Sequence, residues 1–170
     1  MKKIIIMLIP IAFITMSCSN NTEPINSTVL NTSVNVYLKN KSNENILASQ
    51  NYPESSINIK FLVGGKEVGY TYNSNGAILD NPRGFFLGVL SGNETGKGMR
   101  VFLNNDISEE YPITYIHWND TETDTLKVHY IRKNDGNYVS WDKIWLNGIL
   151  VLDYSAVESN LKGDIITIVK

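Results

Sequence analysis

Short runs of alternating apolar and polar residues recur along the chain from residue 34 onwards. In the first run, Val34, Val36 and Leu38 share one face of an extended segment, and the residues between them face the other way. This period of two predicts a half-buried β-strand. Similar runs predict further strands at residues 57–63, 66–72, 85–90, 99–103, 113–118, 126–133, 143–146, 149–153 and 164–169.

No stretch shows a convincing helical period of 3.6 residues, and turn residues separate the predicted strands. This pattern is typical of all-β domains built from short strands. It predicts an immunoglobulin-like β-sandwich of about nine to ten mostly antiparallel strands over residues 34–170. Neither an internal repeat nor a second domain is indicated.

Gly64 and Gly65 predict a tight β-hairpin, because glycine supplies the positive φ angles that a two-residue turn requires. Counting back from the turn places Phe61 opposite Val68, and directly opposed residues share a face of the sheet. The predicted pairs are Val63 with Lys66, Phe61 with Val68, Ile59 with Tyr70 and Ile57 with Tyr72. One face is then apolar, while Lys60 and Glu67 lie on the other.

Asn147 and Gly148 predict a second tight hairpin. Its predicted pairs are Leu146 with Ile149, Trp145 with Leu150, Ile144 with Val151 and Lys143 with Leu152. Both faces of this hairpin are largely apolar. We therefore expect it to be covered on both sides, or to use one side as a contact surface.

The first seventeen residues have the organisation of an export signal. Lys2 and Lys3 precede an apolar run at residues 4–14, which is too short to span a membrane, and small and polar residues lead to Cys18. Cys18 is the only cysteine in the chain. This arrangement resembles the lipobox of bacterial lipoproteins, in which the cysteine thiol is acylated, although Thr15 stands where lipoboxes usually carry Leu. The resemblance implies acylation of Cys18 after cleavage of the signal. The alternative is an ordinary cleaved signal with an incidental cysteine.

Polar residues dominate the segment that follows, at positions 18–33. Asn, Ser and Thr are its main constituents, and it lacks apolar periodicity. Such a segment cannot bury enough apolar surface to order itself. We expect a flexible tether between the lipidated Cys18 and the β-domain.

Composition narrows the possible partners. The whole chain has 15 Lys and Arg against 17 Asp and Glu, and removal of Lys2 and Lys3 with the signal leaves 13 against 17, a formal charge of −4. This balance argues against nucleic acid and against a polybasic membrane-binding surface. With Cys18 acylated, no disulfide can form, and the 153 residues that remain of the 170 are enough for one domain with its own core.

Residues 114–153 resemble the C-terminal part of small uncharacterised lipoproteins of the Bacteroidota. The resemblance rests on Trp-Asn-Asp-Thr at 118–121, Thr-Asp-Thr at 123–125 and Lys-Ile-Trp-Leu-Asn-Gly at 143–148, together with the cysteine site. It implies an exported, anchored, β-rich protein and no particular activity. In that phylum, export to the cell surface is associated with acidic residues just after the cysteine. Because Glu23 is the only one nearby, the resemblance favours the inner leaflet of the outer membrane, facing the periplasm.

Two constellations of metal-binding residue types are present. Asp120, Glu122 and Asp124 would share one face of an extended segment, but the glycine and glutamate that a calcium-binding EF-hand loop needs are absent. A solvated connection between strands is the expected role. His117 and His129 would lie diagonally on one face if Trp118 paired with Leu126. Two histidines without a third ligand do not make a site, so we expect no metal and no cofactor.

Aromatic and hydroxyl side chains supply two further candidates. Trp118, Trp141 and Trp145 would form a platform for stacking sugars if their rings were exposed, and the alternative is that they fill the core. Thr125, in Asp124-Thr125-Leu126, matches the short acceptor pattern for O-glycosylation in the same phylum. It is a candidate O-glycosylation site.

No catalytic motif is present: the chain lacks a Gly-X-Ser-X-Gly sequence and a phosphate-binding loop, and its one cysteine is assigned to lipid. We therefore expect no enzyme. The expected function is that of a lipid-anchored cell-envelope protein that acts as a binding or structural module, with an unknown protein or glycan partner. The alternative is a carbohydrate-binding accessory or carbohydrate-active enzyme that uses the aromatics of the C-terminal third.

Overall fold

A computed structural model describes residues 28–70, 81, 83–90, 96–155 and 164–170. Within these ranges the chain forms eleven strands and two single turns of 3₁₀ helix, at Glu54–Ser56 and Asn134–Gly136. The strands are β1 (Val29–Asn31), β2 (Ser33–Lys39), β3 (Asn58–Val63), β4 (Lys66–Gly69), β5 (Phe85–Val89), β6 (Lys97–Phe102), β7 (Ile113–His117), β8 (Thr123–Lys133), β9 (Tyr138–Leu146), β10 (Ile149–Asp153) and β11 (Ile165–Val169). The all-β prediction is confirmed, with eleven strands where about nine to ten were expected.

The strands form two mixed sheets. The large sheet has seven strands in the order β1-β9-β8-β7-β3-β4, with β10 also paired to β9. The small sheet has four strands in the order β11-β2-β6-β5. The pairs β1/β9 and β2/β11 are parallel, and the remaining pairs are antiparallel.

Both sheets contribute to one apolar core. The small sheet supplies Val34, Val36 and Leu38 of β2, which are at most 2% exposed and lie in the core as predicted. The other face of β2, with Asn35, Tyr37 and Lys39, is buried as well, so the prediction of a half-buried strand is wrong for that face. The large sheet contributes Ile116 and Leu126, among others, to the same cluster. The fold is therefore held by apolar burial across the space between the sheets.

The chain passes from one sheet to the other between β1 and β2. Only Thr32 separates the two strands, yet β1 pairs with β9 of the large sheet and β2 pairs with β6 and β11 of the small one. Residues Val29–Asn31, predicted to belong to the tether, are thus part of a sheet. Their polar neighbours gave no alternation from which this strand could be predicted, because its pairing depends on the distant β9.

The hairpin at Gly64 and Gly65 forms in the predicted register. Val63 pairs with Lys66, Phe61 pairs with Val68, and the two glycines have φ angles of 56° and 76°. The ladder ends at the pair Lys60 and Gly69, before the predicted pairing of Ile59 with Tyr70. Tyr72 lies outside the described residues.

The hairpin at Asn147 and Gly148 starts in the predicted register and then departs from it. Leu146 pairs with Ile149 and Trp145 pairs with Leu150, but Leu152 rather than Val151 stands opposite Ile144. An irregularity between Leu150 and Leu152 shifts the register by one residue. The shift lets the buried Leu152 join Ile144 in the core, and the sequence alternation alone does not reveal it.

Candidate ligand-binding groove

Two of the three predicted sugar-stacking tryptophans lie in the core. Trp118 is fully buried and its indole Nε1 donates to Asp124 Oδ2 at 2.6 Å, and Trp141 is 4% exposed with its Nε1 donating to the carbonyl of Ser33 at 2.9 Å. A sugar in solvent cannot reach either ring face. The prediction of a three-tryptophan platform is therefore wrong for Trp118 and Trp141, whose large rings stabilise the core instead.

Trp145 lies on the outer face of the large sheet, in a half-exposed cluster. The Tyr111 ring meets the Trp145 ring edge-on with centroids 5.8 Å apart, and Lys127 Nζ lies 4.7 Å from the Trp145 ring centre. Tyr111 also lies against His129, with ring centroids 5.5 Å apart. We call Tyr111, Lys127, His129 and Trp145 the outer-face cluster. Its lysine is held between two rings, an arrangement that stabilises the ammonium group by cation–π attraction.

Strand β9 has a bulge at Asp142, next to the outer-face cluster. His129 pairs with Lys143 and Tyr130 pairs with Trp141, so Asp142 is an extra residue without a partner in the ladder. The Asp142 carboxylate is nearly buried, and its Oδ1 lies 2.5 Å from His129 Nδ1. This contact orients the imidazole through one ring nitrogen, as acidic partners of histidine commonly do.

A groove opens where β1 and β10 leave the same edge of β9. It consists of two adjoining cavities of about 340 and 200 Å³ that share Asn31 and Asp164. The larger one lies beside β9 and includes Ser140, Trp141 and Tyr154, and the smaller one extends over β2 to Arg100 of β6. The passage of the chain between the two sheets therefore creates a depression that spans both of them.

Polar side chains at the floor and rim of the groove are connected to one another. Asn35 Nδ2 donates to Asp164 Oδ2 at 3.1 Å, and Arg100 Nε donates to Asn35 Oδ1 at 3.4 Å. On the other side, Asn31 Nδ2 donates to the Ser140 hydroxyl at 3.4 Å. These groups carry more donors and acceptors than these contacts use, since a guanidinium has five N–H groups and a carboxylate accepts several bonds. The groove thus offers a ligand both donors and acceptors.

An aromatic side chain forms one wall of the groove. Tyr154 is 48% exposed, and its ring meets Trp141 edge-on with centroids 5.3 Å apart. Its backbone N–H donates to the Asp142 carbonyl at 2.7 Å. Tyr154 was not among the predicted site residues. The irregular spacing of Val139, Trp141 and Ile144 is a sequence signal for the bulge that could have directed attention to this edge of β9.

The acidic segment at residues 120–124 has a structural role. The nearly buried carboxylate of Asp124 accepts hydrogen bonds from Trp118, Asn147 Nδ2 at 2.7 Å and Lys170 Nζ at 2.8 Å. Burial alone would raise the pKa of the Asp124 carboxyl, but the three hydrogen bonds and the Lys170 charge outweigh it and hold that pKa below its usual value. The expectation that Asp124 shares an exposed face with Asp120 is therefore wrong.

Glu122 extends the same network. Its carboxylate accepts a hydrogen bond from the Tyr52 hydroxyl at 3.2 Å and lies 3.4 Å from Lys170 Nζ.

Within the part of the chain that the structure describes, no group of three or more acidic, histidine or cysteine side chains is arranged to hold a metal ion.

The two histidines lie far apart along the large sheet. His117 pairs with Thr123 rather than Lys127, which places it six positions from His129 along β8, roughly 20 Å at 3.3 Å per residue. His117 Nε2 lies 3.1 Å from Glu67 Oε2, and its Nδ1 lies 2.8 Å from the Thr123 hydroxyl. The predicted register was wrong because β8 begins at Thr123, before the apolar run that suggested a start at Leu126.

Thr125, the candidate O-glycosylation site, is half-buried in β8, and its backbone N–H donates to Asn147 Oδ1 at 2.9 Å. The preceding Asp124 belongs to the buried network, so an enzyme could not contact its carboxylate in the folded domain. Glycosylation that depends on this aspartate would have to precede folding. The candidate lipidation site, Cys18, lies outside the described residues.

None of the described segments is a helix long and apolar enough to cross a bilayer. Comparison of the chain with protein-family models, curated proteins and solved structures found no match.

Proposed function

We propose that this chain is a lipid-anchored protein of the bacterial cell envelope whose β-domain is a binding module. The N-terminal organisation supports the anchor: a basic start, a short apolar run and the single cysteine at position 18. The observation that carries the binding role is the polar and aromatic groove beside β9, bordered by Asn31, Tyr154 and Asp164. The similarity to small lipoproteins of the Bacteroidota is part of this proposal.

The short chain length between Cys18 and the groove is consistent with both the lipid anchor and the binding role. Thirteen residues lead from Cys18 to Asn31, so even a fully extended chain places the groove within about 47 Å of the lipid. A module held this close samples ligands of the envelope rather than of the bulk medium. An acyl anchor with more than one chain gives stable attachment.

We also propose that the two sheets form an immunoglobulin-like β-sandwich. The shared core and the passage of the chain from β1 to β2 between sheets support a sandwich. The parallel pairs β1/β9 and β2/β11 distinguish it from a purely antiparallel one. An experimental structure with the strands of the two sheets within about 30° of each other would support this arrangement, and an orthogonal crossing would contradict it.

The anchor is tested by Cys18→Ser. The variant should lose incorporation of labelled fatty acid, because the acylated thiol is gone, and the protein should be left either unprocessed or soluble. A matched control combines Cys18→Ser with Ser27→Cys, which restores one cysteine nine positions further along. This control should remain unlabelled, since the position next to the signal decides acylation. Continued labelling and sedimentation of Cys18→Ser would refute the anchor.

The inner leaflet facing the periplasm is the proposed location. Protease added to intact cells should then leave the β-domain uncut, and permeabilisation of the outer membrane should expose it. Cleavage in intact cells, with a periplasmic marker still protected, would place the domain at the cell surface instead.

A carbohydrate-active enzyme is the second candidate, because two carboxylates, Asp142 and Asp164, border the groove and glycosidases use paired carboxylates. Binding is the preferred proposal since both groups are already engaged, Asp142 by His129 and Asp164 by Asn35. Incubation of the protein with any retained glycan separates the two: unchanged glycan supports binding alone, and shortened products support the enzyme.

A further inference from the structure

We propose that the groove beside β9 binds a neutral saccharide, with the Tyr154 ring as its stacking surface. This inference rests on the proposed binding function and specifies its ligand. It replaces the predicted tryptophan platform with a different set of residues, of which only Trp141 was predicted, and Trp141 acts here as a buried support.

The aromatic wall is fixed before any ligand arrives. Trp141 is buried and anchored by its hydrogen bond to the Ser33 carbonyl, and Tyr154 rests edge-on against it. The Tyr154 backbone is held by Asp142. A half-exposed ring on such a support loses little conformational freedom on binding, which reduces the entropic cost of association. Its apolar face suits the C–H face of a sugar ring, and its hydroxyl can hydrogen-bond at the edge.

The polar groups of the groove match hydroxyls rather than a single charge. Amide, hydroxyl, carboxylate and guanidinium groups from Asn31, Ser140, Asp164 and Arg100 surround it. A sugar hydroxyl both donates and accepts, and the groove provides partners for both. The same mixture leaves an apolar ligand with unpaired polar groups, which opposes its binding.

The charges of the groove give anionic ligands no net attraction. Asp164 and Arg100 contribute one charge of each sign, whereas the nearly buried Asp142 carboxylate is directed to His129, which does not line the groove. A phosphorylated or carboxylated ligand would meet Asp164 as well as Arg100, so this balance favours a neutral ligand. The larger cavity, about 340 Å³, lies within the usual range for small-molecule sites, and the adjoining one of about 200 Å³ extends it along β2. A short neutral oligosaccharide therefore fits best.

The chain offers a matched control for the stacking residue. Tyr111 is 41% exposed and meets Trp145 edge-on at 5.8 Å, much as Tyr154, 48% exposed, meets Trp141 at 5.3 Å. Tyr111 belongs to the outer-face cluster and does not line the groove. Removal of either ring thus deletes a similar side chain with a similar support, and only one of them borders the proposed site.

The experiment uses the full-length acylated protein in detergent micelles. Wild-type protein is screened on an array of neutral and anionic glycans, and retained neutral glycans are titrated by calorimetry. Tyr154→Ala should weaken binding roughly tenfold or more, as removal of a central aromatic anchor does. Tyr111→Ala should bind as wild type does, and Tyr154→Phe, which keeps the ring, should retain most of the affinity. Thermal melts of all variants show whether each remains folded.

The remaining outcomes each overturn the inference. If Tyr111→Ala abolishes binding and Tyr154→Ala does not, the site is the outer-face cluster. If only acidic glycans are retained, the charge argument is wrong. If wild type retains no glycan at all, the saccharide is excluded, while the lipid anchor stands or falls separately by the Cys18→Ser experiment.

Discussion

Asp124 is a nearly buried carboxylate at which three distant parts of the chain meet. Its partners come from the end of β7, the turn between β9 and β10, and the residue after β11: Trp118, Asn147 and Lys170. Because the network lowers the pKa of Asp124, its contribution to stability is fully present above the unfolded value of about 3.9. That contribution is lost as pH falls through the folded pKa.

Asp124→Asn should therefore destabilise the domain near neutral pH, by on the order of 3 kcal/mol, as breaking a buried ion pair does. The difference between variant and wild type should shrink as pH falls below about 4, because Asp124 of the unfolded wild-type chain then binds a proton, which the folded domain takes up only at lower pH. Denaturant melts between neutral and acidic pH measure both effects. Asp120→Asn, an exposed substitution in the same loop, should stay within about 0.5 kcal/mol of wild type. A pH-independent loss at position 124 would mean that packing, not charge, is responsible.

Neighbouring residues of β3 have opposite roles. Phe61 is buried in the core, with its ring 5.5 Å from that of Tyr70, whereas Lys60 is half-exposed and pairs with Glu67 at 3.3 Å. Phe61→Ala should cost roughly 3–5 kcal/mol in free energy of unfolding. Lys60→Ala should cost at most about 1 kcal/mol, since an exposed ion pair contributes little. Denaturant melts compare the two, and equal losses would contradict the assigned faces.

At the scale of elements, the β3–β4 hairpin depends on the backbone of its turn. Gly65 has φ = 76°, and a Cβ added there would have no neighbouring atom within 4 Å, so a side chain meets backbone strain and no clash. Gly69, at the end of β4, also has open space but an ordinary φ. It is a matched control for the same substitution.

Gly65→Val should lower the free energy of unfolding by roughly 1–2 kcal/mol, because a β-branched residue resists a left-handed conformation. Gly69→Val should be neutral or slightly stabilising, since valine is favoured over glycine in strands. Thermal or denaturant melts distinguish them. If both variants lost the same stability, added bulk rather than turn geometry would be the cause.

At the scale of the whole molecule, β1 links the N-terminal segment to the domain. Its three residues pair in parallel with Tyr138, Val139 and Ser140 of β9, and the Val29 N–H donates to the Asn137 carbonyl at 2.8 Å. All three residues of β1 are exposed, so this strand adds little apolar burial to the stability of the domain. Its contribution comes from backbone hydrogen bonds to β9 and from covering the edge of β9.

A chain that begins at residue 28 should consequently be as stable as one that begins at residue 19. A chain that begins at residue 33 lacks β1 and should lose roughly 1–3 kcal/mol, the net worth of a few hydrogen bonds. It should also associate more readily through the uncovered edge of β9. Chemical denaturation and light scattering of the three chains provide the comparison. Equal stability and solubility of all three would show that β1 is dispensable.

The sequence by itself determined features that depend on near neighbours. Alternation predicted β2, and alternation with Gly64 and Gly65 predicted the β3–β4 register, because turn geometry and the side-chain period are local properties. The bounds of β10 were predicted for the same reason. Those local signals also established the all-β class.

Only the tertiary structure decided features that depend on partners distant in the chain. Asp124 is buried because Asn147 and Lys170 meet it, so the polar start of β8 could not be recognised from its own residues. The burial of Trp118 and Trp141, and the groove that joins Asn31 to Asp164, follow from how the two sheets face each other. The residue pattern indicates which side chains favour burial, whereas the pairing of remote strands decides which of them are actually buried.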